Sequence, residues 1–119
     1  MKKILIVEDE QIFAQDLKMI MESEGYSVES IVDSGTEAIK KIEQNKPDII
    51  LMDIKIHGKI DGIDLTKEIQ KKNNIPIIYL TAYTEKSTVD RAMETNPVAY
   101  MVKPIFDNDL IDVVKKALK

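Results

Sequence analysis

Residues 48–56 read DIILMDIKI, so a run of four apolar side chains, 49–52, leads directly into Asp53. A buried carboxylate is costly unless another group pairs with it. Asp53 is therefore either a charge that closes a strand at the surface or a group placed there for chemistry. Three further apolar runs of the chain end in a similar way, in Glu8 and Asp9, in Thr81, and in Lys103.

These residue types together can support phosphoryl transfer. Carboxylates such as Glu8, Asp9 and Asp53 repel one another wherever they meet, so they need a counter-ion. Mg²⁺ suits such a set because it prefers oxygen ligands, and Lys103 supplies a second positive charge. A histidine-based zinc site would need more than the single His57, and the chain has no cysteine. A carboxylate nucleophile beside cations that neutralise phosphoryl oxygens has what the transfer requires.

Five short apolar runs alternate with segments of helical spacing, which predicts five strands and five helices. The runs are ILIV (4–7), YSVESIV (26–32), DIILM (48–52), IPIIYL (75–80) and VAYMV (98–102). Four of them are nearly continuous in apolar residues, which is typical of strands covered on both faces. The second run alternates, with Val28, Ser30 and Val32 expected on one side, as in an edge strand.

A strand followed by a helix, repeated five times, predicts a parallel sheet with helices on both faces. In open sheets of this class, ligands bind outside the carboxyl ends of the strands. Each run except the second ends in an acid, a hydroxyl or a base. The sequence therefore predicts one site at that edge of the sheet.

Composition narrows the function further. The 119 residues suit a single domain, 1–119, and 17 basic against 21 acidic residues leave a net charge of −4. This balance argues against direct nucleic-acid binding, which usually needs a basic face. The apolar run at 4–7 is too short for a signal peptide, and no run approaches a membrane span. We expect a cytoplasmic protein with no membrane partner.

At this point the chain resembles the receiver domain of two-component response regulators. The matching segments are ILIVEDE, ILMDI, YLTA and YMVKP, and their order and spacing together are specific although each alone is weak. The resemblance covers essentially all 119 residues. It implies the flavodoxin-like (βα)5 fold, a three-layer sandwich around a parallel five-stranded sheet of order 2-1-3-4-5.

The resemblance also implies roles at the acidic end of the site. Asp53 matches the phosphoacceptor. Asp9 matches a direct Mg²⁺ ligand, and Glu8 matches an acid that acts largely through a metal-bound water. The backbone carbonyl of Lys55 matches the remaining protein ligand, so the implied metal set is Glu8, Asp9, Asp53 and Lys55.

Three further residues match the groups that respond to phosphorylation. Lys103 matches the lysine that contacts phosphoryl oxygens, and the Lys103-Pro104 bond is expected to be cis. Thr81 matches the switch hydroxyl, which moves to bond the phosphoryl group. Tyr100 matches the switch aromatic, which turns inward once Thr81 moves.

The implied function is a signalling switch rather than an enzyme. A histidine kinase or phosphotransfer domain would donate the phosphoryl group, and the domain itself would catalyse its own phosphorylation and a slow autodephosphorylation. The affected surface would be the face formed by the fourth helix, fifth strand and fifth helix, which would meet a downstream target or output domain. A homodimer through the same face is also compatible with the resemblance.

The loop after Asp53 departs from the family pattern. The segment IKIHGKIDG (54–62) has no proline and is one residue longer than in common members, so we expect a loop of different shape.

Three alternative functions accompany this interpretation. A receiver-fold interaction module that works without phosphorylation is one alternative. A small Mg²⁺-dependent aspartyl-phosphate phosphohydrolase is another, although Lys55 stands where it usually has a second acid. A flavodoxin-like cofactor binder would place phosphate against Glu8 and Asp9, which would repel it.

Overall fold

A computed structural model describes residues 1–119 and arranges five parallel strands in the order β2-β1-β3-β4-β5. The strands are β1 (Lys3–Val7), β2 (Ser27–Val32), β3 (Ile49–Met52), β4 (Ile77–Thr81) and β5 (Ala99–Val102). The helices are α1 (Gln11–Ser23), α2 (Gly35–Gln44), α3 (Gly62–Gln70), α4 (Lys86–Met93) and α5 (Asp107–Ala117). The predicted flavodoxin-like fold and strand order are confirmed.

Two apolar layers cover the sheet because successive side chains of a strand point to opposite faces. Leu5 and Val7 face the layer that α2, α3 and Ala92 of α4 complete. Ile4 and Ile6 face the other layer, which α1 and α5 close. The three central strands are buried along their whole length apart from the first residue of β1, as their continuous apolar runs predict.

The edge strand β2 departs from the predicted alternation. Its pairing with β1 shifts between Ile4 and Leu5, because Val28 lies opposite Ile4 whereas Ser30 lies opposite Leu5. A bulge of this kind inserts one residue and reverses the faces beyond it. Val28 therefore packs in the layer of α1, while Val32 packs in the layer of α2. The expectation that both lie on one side is wrong.

The fifth strand is less covered than its apolar run predicts. β5 is the second edge of the sheet; Val98 directly before it and Val102 at its end are 44% and 43% exposed. Because its sequence resembles that of a central strand, the run alone does not reveal this exposure. β5 lies beside α4, of which only Ala92 is buried.

Local signals place the helix ends. After α1, Gly25 adopts φ +91°, a conformation that favours glycine. The Ser34 side chain caps α2 by accepting a hydrogen bond from the Glu37 N–H, and Asp61 caps α3 in the same way. The Lys103-Pro104 bond is cis, as the resemblance implies. None of the helices has the length and apolar character needed to cross a membrane.

Candidate functional site

Asp53 lies at the carboxyl end of β3 and is 5% exposed. Its backbone N–H donates to the Val7 carbonyl at 2.9 Å, which ties the end of β3 to β1. Its Oδ1 accepts a hydrogen bond from the Ile54 N–H at 2.7 Å. The apolar run thus ends in a buried carboxylate rather than in a charge that points into solvent.

Lys103 supplies the positive charge that this carboxylate needs. Its Nζ lies 3.1 Å from Asp53 Oδ2, 3.0 Å from Glu8 Oε1 and 2.9 Å from Glu10 Oε1. A lysine ammonium has three N–H donors, so each donor has one carboxylate. The same Nζ lies 4.5 Å from the centre of the Phe13 ring, which is close enough for a cation–π contact.

Burial and the hydrogen bonds of Lys103 shift the pKa values of Glu8, Glu10 and Lys103. Glu8 is 1% exposed, and its burial raises the pKa to about 7 against the lowering effects of the Glu10 backbone N–H and Lys103. Burial also opposes the charge on Lys103, but hydrogen bonds to Glu10 and Glu8 outweigh it and raise the pKa of the lysine. The hydrogen bond from Lys103 lowers the pKa of Glu10.

The carboxylates of this cluster also fit a hard cation. Oxygen atoms of Glu8, Glu10 and Asp53 all lie within 4.8 Å of one another. Carboxylate oxygens are the donors that Mg²⁺ prefers, and the cluster contains no histidine or thiolate to favour a softer metal. Asp9 is half-buried on the turn between β1 and α1 and is not in this group, and Lys55 is exposed.

Thr81 and Tyr100 lie on the neighbouring strands. Thr81 ends β4 and is 1% exposed, and its hydroxyl oxygen accepts from the Tyr83 N–H at 3.3 Å. The Tyr100 hydroxyl on β5 donates to the Tyr83 carbonyl at 2.8 Å. Both predicted switch residues therefore contact the same peptide segment after β4. The Tyr100 ring centre lies 6.0 Å from that of the buried Tyr79.

A family model of the response regulator receiver domain matches residues 4–115. The chain belongs to this family. Receiver domains are regulatory modules of two-component systems that interact with histidine kinases or phosphotransfer partners and with output domains. The predicted family and fold are thus confirmed, while the role of each site residue stays a prediction.

Known receiver-domain proteins are similar along most of this chain. Transcriptional regulatory protein PdtaR of Mycobacterium tuberculosis is 38% identical over 117 residues, which cover 98% of this chain and 57% of that protein. The chain thus spans little more than half the length of this curated relative. A two-component response regulator from Clostridium difficile has a TM-score of 0.93 at 32% identity, covering 99% of this chain and 96% of that one.

A third relative is the signal receiver domain of a modulated diguanylate cyclase from Desulfovibrio desulfuricans. It has a TM-score of 0.90 at 34% identity, and the match covers 98% of this chain and 92% of that chain. The three relatives are a transcriptional regulatory protein, a response regulator and part of a diguanylate cyclase. The similarity therefore identifies the receiver domain but not the response that it controls.

Sequence reasoning missed two residues that shape the site of this receiver domain. Glu10 contacts Lys103, and the available signal was its place as the third acid in the segment EDE. Gly62 begins α3, and its N–H donates to the Ile54 carbonyl at 2.7 Å. A Cβ at Gly62 would lie 2.0 Å from the Asp53 carbonyl oxygen, so this position requires glycine for space.

The loop after Asp53 is held at His57 against the segment that follows β2. The His57 N–H donates to the Asp33 carbonyl at 2.8 Å, and His57 forms an isolated parallel bridge with Ser34. The side chain of His57 is exposed, and Gly58 beside it adopts φ +102°. The longer loop thus contacts the segment directly after β2.

Proposed function

We propose that residues 1–119 form one receiver domain that acts as a phosphorylation-controlled switch, with Asp53 as the phosphoacceptor. The observation that carries this proposal is the contact of Lys103 Nζ with Asp53 Oδ2 at 3.1 Å inside a cluster of three carboxylates. The donor would be the phosphohistidine of a histidine kinase or phosphotransfer domain. The partner downstream would be a separate target or an output domain.

In the transfer, an Asp53 carboxylate oxygen forms a bond to phosphorus while the bond between phosphorus and the donor's imidazole nitrogen breaks. Lys103 stabilises the negative charge of the phosphoryl oxygens. Glu8, Asp9, Asp53 and the Lys55 carbonyl would hold Mg²⁺, with the carboxylate of Glu10 close to this set. When bound, Mg²⁺ supplies positive charge that neutralises the phosphoryl oxygens.

The transferred group would then reorganise the residues after β4. The Thr81 hydroxyl has only a long hydrogen bond from the Tyr83 N–H, at 3.3 Å, so little opposes its movement toward a phosphoryl oxygen. A shift of this segment would break the hydrogen bond between Tyr100 and the Tyr83 carbonyl and allow the ring to turn inward. The face of α4, β5 and α5 would change with it.

This face has the properties of a surface that changes partners. Only Ala92 of α4 is buried, so few apolar contacts oppose a displacement of the helix. Four apolar side chains in α4, in β5 or directly before β5 and α5 are at least 43% exposed, namely Met93, Val98, Val102 and Phe106. They suit contact with a target protein or with a second copy of the domain, which would form a homodimer.

Intact-mass spectrometry tests the proposed phosphorylation. The wild type, Asp53→Asn and Asp16→Asn are incubated with a small phosphodonor such as acetyl phosphate, in Mg²⁺ or in EDTA. Asp16 is a matched control because it is an exposed aspartate on α1. We expect one added phosphoryl group in the wild type and Asp16→Asn, with Mg²⁺ only. An unmodified wild type, or an equally modified Asp53→Asn, would contradict the proposal.

Hydrogen exchange tests the switch separately. Amides of α4 and of the segment 82–85 are expected to exchange at different rates before and after phosphorylation of the wild type. In Thr81→Ala the added group should remain on Asp53 while the exchange difference shrinks. Identical exchange of α4 in the two states of the wild type would remove the switch from the proposal and leave phosphorylation intact.

A further inference from the structure

Glu10 differs from the other two carboxylates that contact Lys103. Glu8 and Asp53 are buried, whereas the Glu10 side chain is 66% exposed. Glu10 is the N-cap residue of α1, yet its side chain makes no capping hydrogen bond. Its carboxylate instead lies 2.9 Å from Lys103 Nζ, 93 residues along the chain. The most accessible acid of the cluster is thus used to hold the lysine.

A second residue at the start of α1 supports the same hold. Phe13 lies in the first turn of α1, three positions after the N-cap residue Glu10. The Phe13 ring lies 4.5 Å below Lys103 Nζ while Glu10 binds the same atom. The lysine side chain is only 16% exposed as a result. Glu10 and Phe13 at the start of α1 therefore both contact the ammonium group of Lys103.

Transfer to Asp53 would require Lys103 to change partners. All three of its N–H donors have carboxylate partners, so a phosphoryl oxygen must replace one of them. Breaking the bond to Glu8 would leave a buried carboxylate without its partner, which is costly. Glu10 is exposed and water can solvate it once released, so of the two glutamates it has the bond to the lysine that is less costly to break.

We propose that Glu10 is a positioning residue that holds Lys103 among the carboxylates until phosphoryl oxygens displace it, and that its charge slows transfer from small anionic donors. This inference rests on the proposed function of Asp53. Glu10 stands at the exposed rim of the cluster, where a donor anion would approach. Its carboxylate repels that anion and competes with it for Lys103.

The first test is the rate of phosphorylation. Acetyl phosphate in Mg²⁺ is the donor, mass spectrometry follows the product, and the variants are Glu10→Gln and Glu22→Gln. Glu22 is the matched control because it is an exposed glutamate on the same helix. Loss of one carboxylate charge beside the donor should raise the rate constant about three- to tenfold in Glu10→Gln. We expect less than a twofold change in Glu22→Gln.

The salt dependence separates this role from a structural one. Electrostatic repulsion weakens as ionic strength rises. The rates of the wild type and Glu10→Gln should therefore converge in 0.5 M NaCl. A rate constant of Glu10→Gln at or below that of wild type, or an equal increase in Glu22→Gln, would overturn the inference.

The second test needs no donor and no metal. Proton–nitrogen NMR of lysine ammonium groups reports how firmly Lys103 Nζ is held and how fast its protons exchange with water. In EDTA we expect a protected Lys103 signal in the wild type and Glu22→Gln, and faster exchange in Glu10→Gln. Equal protection of the Lys103 ammonium protons in the wild type and Glu10→Gln would refute the inference that Glu10 holds Lys103.

The two tests distinguish this inference from the proposed function. A wild type that accepts no phosphoryl group would refute the function of Asp53, and the NMR comparison would still decide whether Glu10 holds Lys103. Glu10→Asp keeps the charge but shortens the side chain by one methylene. It should loosen Lys103 in the NMR spectrum while raising the phosphorylation rate less than Glu10→Gln does.

Discussion

Replacing Gly62 with alanine should disturb both the stability and the chemistry of the site. A Cβ at this position would lie 2.0 Å from the Asp53 carbonyl oxygen and 2.9 Å from its carbonyl carbon. Carbon–oxygen contacts in proteins are ordinarily about 3.3 Å or longer, so the two segments must separate by about 1.3 Å. The contacting atoms belong to the backbone, so no rotamer change relieves the overlap.

This overlap should lower the free energy of unfolding and displace Asp53. Forcing an extra carbon into a packed site costs about 1–3 kcal/mol, and the helix propensity of alanine returns up to about 1 kcal/mol. We therefore expect Gly62→Ala to lower the free energy of unfolding by up to about 3 kcal/mol. A displacement of about 1 Å at Asp53 should also slow phosphorylation by about tenfold or more.

Gly58→Ala is the control for this prediction. Gly58 lies in the same loop and adopts φ +102°, but a Cβ there would meet nothing within 4 Å. We expect a loss of about 1–2 kcal/mol from backbone strain alone and an unchanged phosphorylation rate. Urea unfolding measures the stability of both variants and mass spectrometry measures phosphorylation. If Gly62→Ala keeps the wild-type phosphorylation rate, the argued contact between Gly62 and Asp53 is wrong.

Three further changes test other parts of the account. In metal-free buffer, the pKa of about 7 for buried Glu8 lies above its ordinary value of 4.5, so its proton stabilises the native state at low pH. Relative to Glu8→Gln, the wild-type free energy of unfolding should fall by roughly 3 kcal/mol between pH 4.5 and 7. Arg91→Met removes ion pairs of 3.1 and 3.3 Å from α4 to the start of α3. These pairs are partly exposed, so we expect a loss of about 0.5–1.5 kcal/mol and faster amide exchange in α4. Tyr79→Phe removes a buried hydroxyl whose oxygen lies 2.8 Å from the hydroxyl oxygen of Thr95. Urea unfolding should show that the free energy of unfolding falls by about 0.5–1.5 kcal/mol.

Each of these has a result that counts against it. A difference between the wild type and Glu8→Gln that stays constant across the pH range would mean that Glu8 is not protonated by burial. Lys86→Met is the control for Arg91→Met, because Lys86 forms an exposed pair within α4 alone. Equal effects of the two substitutions would deny Arg91 a role in joining α4 to α3. A Tyr79→Phe variant as stable as wild type would show that water replaces the lost partner.

The sequence predicts the sheet well because its evidence is local. Continuous apolar runs indicate buried strands, and the residue that follows each run lies at the same edge of a parallel sheet. The sequence therefore predicts that Glu8, Asp53, Thr81 and Lys103 lie at one edge, and Lys103 does contact Glu8 and Asp53. The cis Lys103-Pro104 bond was expected only through the resemblance.

The remaining features depend on contacts between distant residues. The bulge of β2 moves Val28 and Val32 to opposite faces, and nothing in an alternating pattern marks the inserted residue. In the sequence Glu10 is an ordinary acid at the start of a helix. Its contact with Lys103 depends on where the fold places a residue 93 positions later. Gly62 reads as a glycine after a capping aspartate, while its requirement comes from the approach of α3 to β3.

The most direct test of the account asks which atom receives the phosphoryl group. An acyl phosphate is reduced by borohydride to an alcohol, so phosphorylated aspartate becomes homoserine, which tandem mass spectrometry locates in a peptide. After treatment with acetyl phosphate and Mg²⁺, we predict homoserine at Asp53 and at no other acid. Reduction at Glu8, Asp9 or Glu10, or a phosphate that resists borohydride on a hydroxyl or on His57, would contradict it.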